Sequence, residues 1–215
     1  MKKKISILLM MMLVFTAVLS GCGKKTSSGP SFEIGSWNDK VFENKWLNMK
    51  FQIEDDWNIA SDKEISELMG VAAETVSKIN GTSKDALKAA ADLKMVYGYM
   101  VSNAKNTMNV QLVFENLALS IGGTKYDEEK YLDKTLETLQ NNQSIGYKVV
   151  DRTKKEIAGK KFHLLKVTGY EGKLIQEFYC LKKGKYMVDL FVTYSKDDEK
   201  AKEKFMKNIS VLDNK

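Results

Sequence analysis

His163 and Cys180 are the side chains of this 215-residue sequence whose types suit nucleophilic chemistry, a thiol activated by an imidazole. They fall on two consecutive stretches with strand character, Lys160 to Thr168 and Lys173 to Lys182. With a two-residue Glu171-Gly172 turn, Tyr170 faces Lys173 and His163 lies directly opposite Cys180. With a three-residue loop ending in Gly172, the register shifts by one and the two side chains point to opposite faces. Glutamate disfavours the positive φ that the shorter turn needs, so the pattern leaves both registers open. Residue types alone favour a buried cysteine beside a satisfied core histidine, and no catalytic residue is assigned.

Two acidic clusters, Asp127-Glu128-Glu129 and Asp197-Asp198-Glu199, have the chemistry to bind a metal. Each also sits where a helix is expected to start. Thr124-x-x-Asp127, Ser195-x-x-Asp198 and Ser61-x-x-Glu64 follow the capping-box spacing. Carboxylates there accept hydrogen bonds from free N–H groups and complement the helix dipole. A chain with one histidine cannot assemble the usual His-rich zinc site. Gly122-Gly123 lacks the partners of either phosphate-binding motif, and no serine sits in a nucleophile-elbow sequence. No metal and no cofactor are expected.

The N-terminus carries a more specific pattern. Met1 to Lys4 is basic, and Ile5 to Leu19 is an apolar run of 15 residues broken only by Ser6 and Thr16. As a helix that run spans about 22 Å, short of the roughly 30 Å hydrocarbon core, which suits a cleaved signal better than a membrane span. The residues that end it, Leu19-Ser20-Gly21-Cys22, resemble the lipobox of bacterial lipoproteins. The resemblance implies cleavage between Gly21 and Cys22, acylation of Cys22, and attachment to the outer face of the cell membrane. Two acyl chains on one residue would hold a protein stably where one would not. Residues 1–21 are then signal peptide, 22–36 a lipidated N-terminus and polar tether containing the only proline, Pro30, and 37–215 a single domain.

Removing three signal-segment lysines lowers the net charge from +6 to +3. Arg152 is the only arginine, and bidentate readers of phosphate or base edges rely on arginine, so the composition argues against a nucleic-acid partner and none is expected. If Cys22 is acylated, Cys180 has no partner for a disulfide, and stability must come from packing.

The elements that would position these residues follow from periodicity. Leu47, Met49, Phe51 and Ile53 alternate with polar residues in a hairpin after Val41-Phe42 and an Asn44-Lys45 turn. Ile65, Leu68, Met69, Ala72, Val76 and Ile79 mark one helix ending at Gly81, with a short helical piece from Lys84 to Ala91. Strands are predicted over Lys94–Ser102 and Met108–Asn116, and a second helix over Asp127–Gln140. A strand meander from Tyr147 to Tyr194 is punctuated by Gly159, Gly172 and Gly184, and a last helix covers Asp197–Asn208. The stretch Tyr186 to Val192 is apolar on both faces except at Asp189, which requires cover on both sides of its sheet. The fold class is therefore α+β, a three-layer α/β/α sandwich with a mostly antiparallel central sheet.

This element order resembles the fold shared by the photosystem II extrinsic protein PsbP, a nuclear Ran-GTPase-binding protein and many small bacterial lipoproteins. The resemblance runs from Trp37 to Leu212, with a local marker in Phe42-Glu43-Asn44 and Phe51-Gln52-Ile53-Glu54-Asp55-Asp56-Trp57. The family usually places proline and glycine before that tryptophan, where this chain has Asp55 and Asp56. The resemblance implies a non-catalytic module that binds an envelope protein partner. The alternative is a small-ligand pocket between helix and sheet, lined by aromatic residues among Trp37, Trp46, Tyr97, Tyr99, Tyr179, Tyr186 and Tyr194. Replacing Cys22 by alanine is expected to move the protein from the membrane fraction to the soluble fraction with the domain still folded. Retention of Cys22→Ala in salt-washed membranes would contradict lipid attachment.

Overall fold

The computed structural model describes residues 31–80 and 84–212. The predicted signal segment, the cleavage site at Gly21 and the lipidation site at Cys22 lie outside the described residues.

Among the described residues the chain forms ten strands, in two antiparallel sheets, and five helices. A small sheet holds β1 (Ser36–Asn38), β2 (Val41–Asn44) and β3 (Met49–Gln52) in sequence order. The large sheet has the order β4-β5-β6-β10-β9-β8-β7. Its strands are β4 (Asn58–Ile59), β5 (Met95–Ser102), β6 (Met108–Asn116), β7 (Lys148–Ile157), β8 (Lys160–Gly169), β9 (Leu174–Lys183) and β10 (Tyr186–Ser195). The helices are α1 (Asp62–Met69), α2 (Ala73–Ile79), α3 (Lys84–Ala91), α4 (Glu128–Asn141) and α5 (Glu199–Lys207).

β10 explains the layering. Tyr186, Val188, Leu190, Val192 and Tyr194 point into a core shared with Phe42, Phe51 and Trp57 near the small sheet, and with Phe205 of α5. The alternating Met187 faces Leu132 and Leu139 of α4 on the other side. A neighbouring cluster there joins Tyr97 and Val113 to Ile65 of α1 and Val76 of α2. The three-layer α+β sandwich thus has helices outside one face, and a small sheet together with α5 outside the other.

The helix predicted as one segment through Ile79 is two. Gly70 adopts a left-handed conformation (φ 65°) and its N–H, with that of Val71, closes on the carbonyls of Glu67 and Ser66. The break lets Val76 reach the helix-side cluster while Ile79 of the same short helix joins the other core. Ser61 forms the expected capping box with Glu64. Asp127, rather than Thr124, caps α4 by accepting the Lys130 N–H at 2.8 Å.

The folded part begins before Trp37. The ring of Phe32 stacks on Tyr186 at 3.9 Å between centroids and meets Trp46 and Phe114 edge-on. Ile34 is 2% exposed. The Glu33 carboxylate accepts the N–H groups of Lys45 and Trp46, which ties this segment to the β2–β3 turn. Gly98 makes room for it, since a Cβ there would lie 2.9 Å from the Ile34 carbonyl oxygen. Packing on the domain thus reaches upstream of Trp37 to Phe32, because aromatic burial outweighs the polar composition around it. Phe32→Ala is expected to lower stability by about 2 kcal/mol and Tm by roughly 6 °C, read by thermal unfolding. An unchanged Tm would restore a tether reaching to Trp37.

Candidate functional site

α4 is fastened to the sheet by the acids that follow its cap. Glu128 accepts the backbone N–H of Lys182 at 2.9 Å. Glu129 meets Arg152 at 3.0 Å and His163 Nδ1 at 2.8 Å, and Asp133 meets Arg152 at 2.6 Å. The Asp127-Glu128-Glu129 cluster therefore caps the helix and ties it to β7, β8 and β9. In the other cluster, Asp198 accepts from the Ser195 hydroxyl at 2.5 Å and Glu199 lies 3.7 Å from Lys166. Among the described residues no group of three or more His, Cys, Asp or Glu side chains is gathered in metal-binding geometry.

The register left open by sequence is the face-to-face one, with His163 paired directly to Cys180. Glu171 takes the unfavourable conformation (φ 59°), and the Lys173 N–H closes the turn on the Tyr170 carbonyl at 3.2 Å. The two side chains share a face but are engaged separately. The Cys180 thiol, 0% exposed, is directed at the Glu128 carbonyl oxygen at 3.7 Å, while the imidazole is held by Glu129. Burial first, then the nearby Asp189, Glu128 and Glu129 charges, pushes the thiol far above its ordinary range. A thiol held in that form is a poor nucleophile.

A second polar group lies under α4 and was not singled out by sequence. Glu115 of β6 and Asp189 of β10 are both buried, and the Tyr131 hydroxyl sits 2.8 Å from one and 2.9 Å from the other. Ser120 donates to the second Glu115 oxygen at 2.7 Å. Burial and the Glu115 charge raise Asp189 well above the usual carboxylate range. One hydroxyl supplies one proton, so a consistent network has protonated Asp189 donating to Tyr131, and Tyr131 donating to Glu115. Asp189 Oδ1 has no hydrogen-bond partner, which costs less for a neutral acid than for an anion. The sequence signal was an aspartate in an otherwise apolar strand.

On the opposite face Glu177 is buried beneath α5. It accepts from the hydroxyls of Tyr179 and Tyr194, and lies 3.1 Å from Lys166 and 3.3 Å from Lys202. Burial opposes its ionisation, but the two hydroxyls and then the two lysines hold its carboxyl below the usual glutamate range. This network is satisfied internally and leaves no group aimed at an outside ligand.

Open space lies elsewhere. A groove of about 780 Å³ runs along β3 beside the C-terminal segment and is lined by Lys50, Phe51, Gln52, Glu54, Asp55 and Asp56 among others. Ser210 bridges β3 at Lys50 through two backbone hydrogen bonds of 2.8 and 2.9 Å, and the Asn208 side chain donates to the Gln52 carbonyl at 3.4 Å. The aromatic pocket considered between helix and sheet is not where this space is. Trp46, Tyr97, Tyr99, Tyr179, Tyr186 and Tyr194 are all buried in the core, and Trp37 packs on Phe42 and Phe51. No helix among the described residues is long and apolar enough to cross a membrane.

No family model matches this chain, and no curated protein does. Among solved structures it is similar to cyanobacterial PsbP (CyanoP) from Synechocystis sp. PCC 6803, with 7% identity and a TM-score of 0.46 over 90% of this chain and 98% of that one. It is also similar to LpqN, involved in cell envelope biogenesis of Mycobacterium tuberculosis, with 12% identity and a TM-score of 0.41 over 76% of this chain and 82% of that one. A protein of unknown function from Pseudomonas aeruginosa, described as a putative regulator, shares 20% identity and a TM-score of 0.34 over 45% of this chain and 65% of that one.

The buried acid pair sets a pH dependence. A carboxyl raised on folding binds more protons in the native state, so its contribution to stability is complete at low pH and is lost from about pH 4 upward. Asp189→Asn removes that loss. Its Tm relative to the unmodified protein is expected to rise steadily between pH 5 and pH 8. A difference in Tm that is independent of pH would show that Asp189 is ionised in the folded protein.

Proposed function

We propose that the chain is a lipid-anchored extracytoplasmic module of the cell envelope that binds a protein partner and performs no chemistry. The groove along β3 carries this reading. It is open and lined by both polar and apolar side chains beside the Ser210 bridge, which suits an extended segment of another protein held through its side chains along β3. Asp55 and Asp56 are exposed on its rim and favour a segment with positive charge. The engagement of Cys180 and His163 by separate partners supports the absence of a nucleophilic mechanism. The lipid anchor at Cys22 rests on the resemblance of Leu19-Ser20-Gly21-Cys22 to a lipobox.

A photoreactive residue replacing Gln52, the exposed residue of β3, is expected to crosslink one envelope protein in intact cells, while the same residue at Lys105 does not. The double variant Asp55→Lys, Asp56→Lys should cut that crosslink at least several-fold. Crosslinking at Gln52 that is absent, or indifferent to the double variant, would defeat the groove as the binding surface.

A further inference from the structure

The chain enters the folded domain at one end of the large sheet, and that end is basic. Phe32 stacks on Tyr186, the first residue of β10. Here the β7–β8 turn at Ala158-Gly159 and the β9–β10 turn at Gly184-Lys185 lie beside the β2–β3 turn, Lys45 to Asn48. Lys183 Nζ donates to the Trp46 carbonyl at 2.7 Å, and Lys160 Nζ to the Ala158 carbonyl at 3.1 Å. Lys185 stands over the Tyr186 ring at 5.3 Å, and Lys45 is exposed at the start of its turn. These ammonium groups meet carbonyls and ring faces, which do not cancel their charge. Burial first, and then the neighbouring Lys183, pushes the Lys160 ammonium down. Of the acids at this end, Glu33 is engaged by two backbone N–H groups and Glu128 by that of Lys182, Asp92 lies close enough to act on Tyr186, and exposed Glu156 stands opposite Lys161.

Only nine residues lie between Cys22 and Phe32. Fully extended they span at most about 35 Å, so an acyl chain on Cys22 keeps this end near the bilayer. The Asn103–Asn106 turn, with exposed Lys105, belongs to the other end of the sheet. We propose that the end bearing Lys45, Lys160, Lys183 and Lys185 docks onto the anionic surface of the membrane and fixes the orientation of the domain on it. This rests on the lipid-anchor reading.

The test uses the full-length lipidated protein in its own membranes, with Lys185→Cys or Lys105→Cys as the exposed thiol, Cys180 being buried. An impermeant maleimide applied from the outer face is expected to label position 185 roughly tenfold more slowly than position 105. At about 1 M salt, where the Debye length falls to about 3 Å, the rates should converge. Equal rates at low salt, or a difference that salt leaves intact, would overturn the docking while salt-resistant membrane retention upholds the anchor. If the protein is not retained in the membrane, the anchor fails and docking is read from co-sedimentation of the full-length chain with vesicles. Binding to phosphatidylglycerol vesicles and not to phosphatidylcholine, weakened about fivefold by each of Lys45→Gln and Lys185→Gln, sustains docking; no binding to phosphatidylglycerol ends it.

Discussion

The structure depends on the burial of β10 on both faces. A central strand with Tyr186, Val188, Leu190, Val192 and Tyr194 on one side and Met187 on the other cannot leave either side to water. With Cys180 buried and free, the covering layers must be held by packing and by side-chain contacts. One face takes α1, α2 and α4, the other the small sheet and α5. The aromatic residues that resemble a binding set are consumed in this closure. Phe51 and Tyr99, with ring centroids 4.5 Å apart, illustrate how rings from the two sheets meet.

The same burial explains the polar groups beneath the outer layers. Asp189 occupies a position where an apolar residue would fill the space, and it persists as a protonated acid that donates to Tyr131, which in turn donates to Glu115. Glu177 is kept ionised by two hydroxyls and two lysines. Each network links the sheet to a helix, Tyr131 being on α4 and Lys202 on α5. Since a polar partner has to be met in one geometry, these contacts define helix placement more sharply than apolar packing alone. Chemistry-bearing residues in this chain are thus mostly recruited for assembly.

Much of the fold was legible in the sequence because its signals are local. Period-2 alternation placed β2, β3 and the long hairpins, and glycine turns set the meander. Three features were less legible, each for a stated reason. A continuous apolar spacing from Ile65 to Ile79 concealed the break at Gly70, whose left-handed conformation is inexpensive for glycine alone. Glu171 adopts positive φ because pairing ten-residue strands in the register that buries Leu165 and Phe178 outweighs about 1 kcal/mol of backbone strain. Phe32 and Ile34 were assigned to a tether because their partners, Tyr186 and the backbone opposite Gly98, are distant in sequence. The groove was not legible either, since it arises where Ser210 meets Lys50 across the fold.

The two proposed surfaces are compatible because β3 separates them. Met49 begins that strand next to Asn48, whose carbonyl receives Lys160 at the basic end. Gln52 leads away from it toward Asp55, Asp56 and β4, where Asn58 pairs with Ser102 at the far end of the sheet. A domain resting on the membrane through Lys45, Lys160, Lys183 and Lys185 would therefore turn the acidic rim of the groove outward. Repulsion between Asp55, Asp56 and anionic lipid acts in the same direction as attraction of the lysines, within a Debye length of about 8 Å at physiological salt. Lysines at one end and the acidic rim toward the other then orient the molecule with no specific lipid contact, and turn the groove beside the Ser210 bridge of β3 away from the membrane.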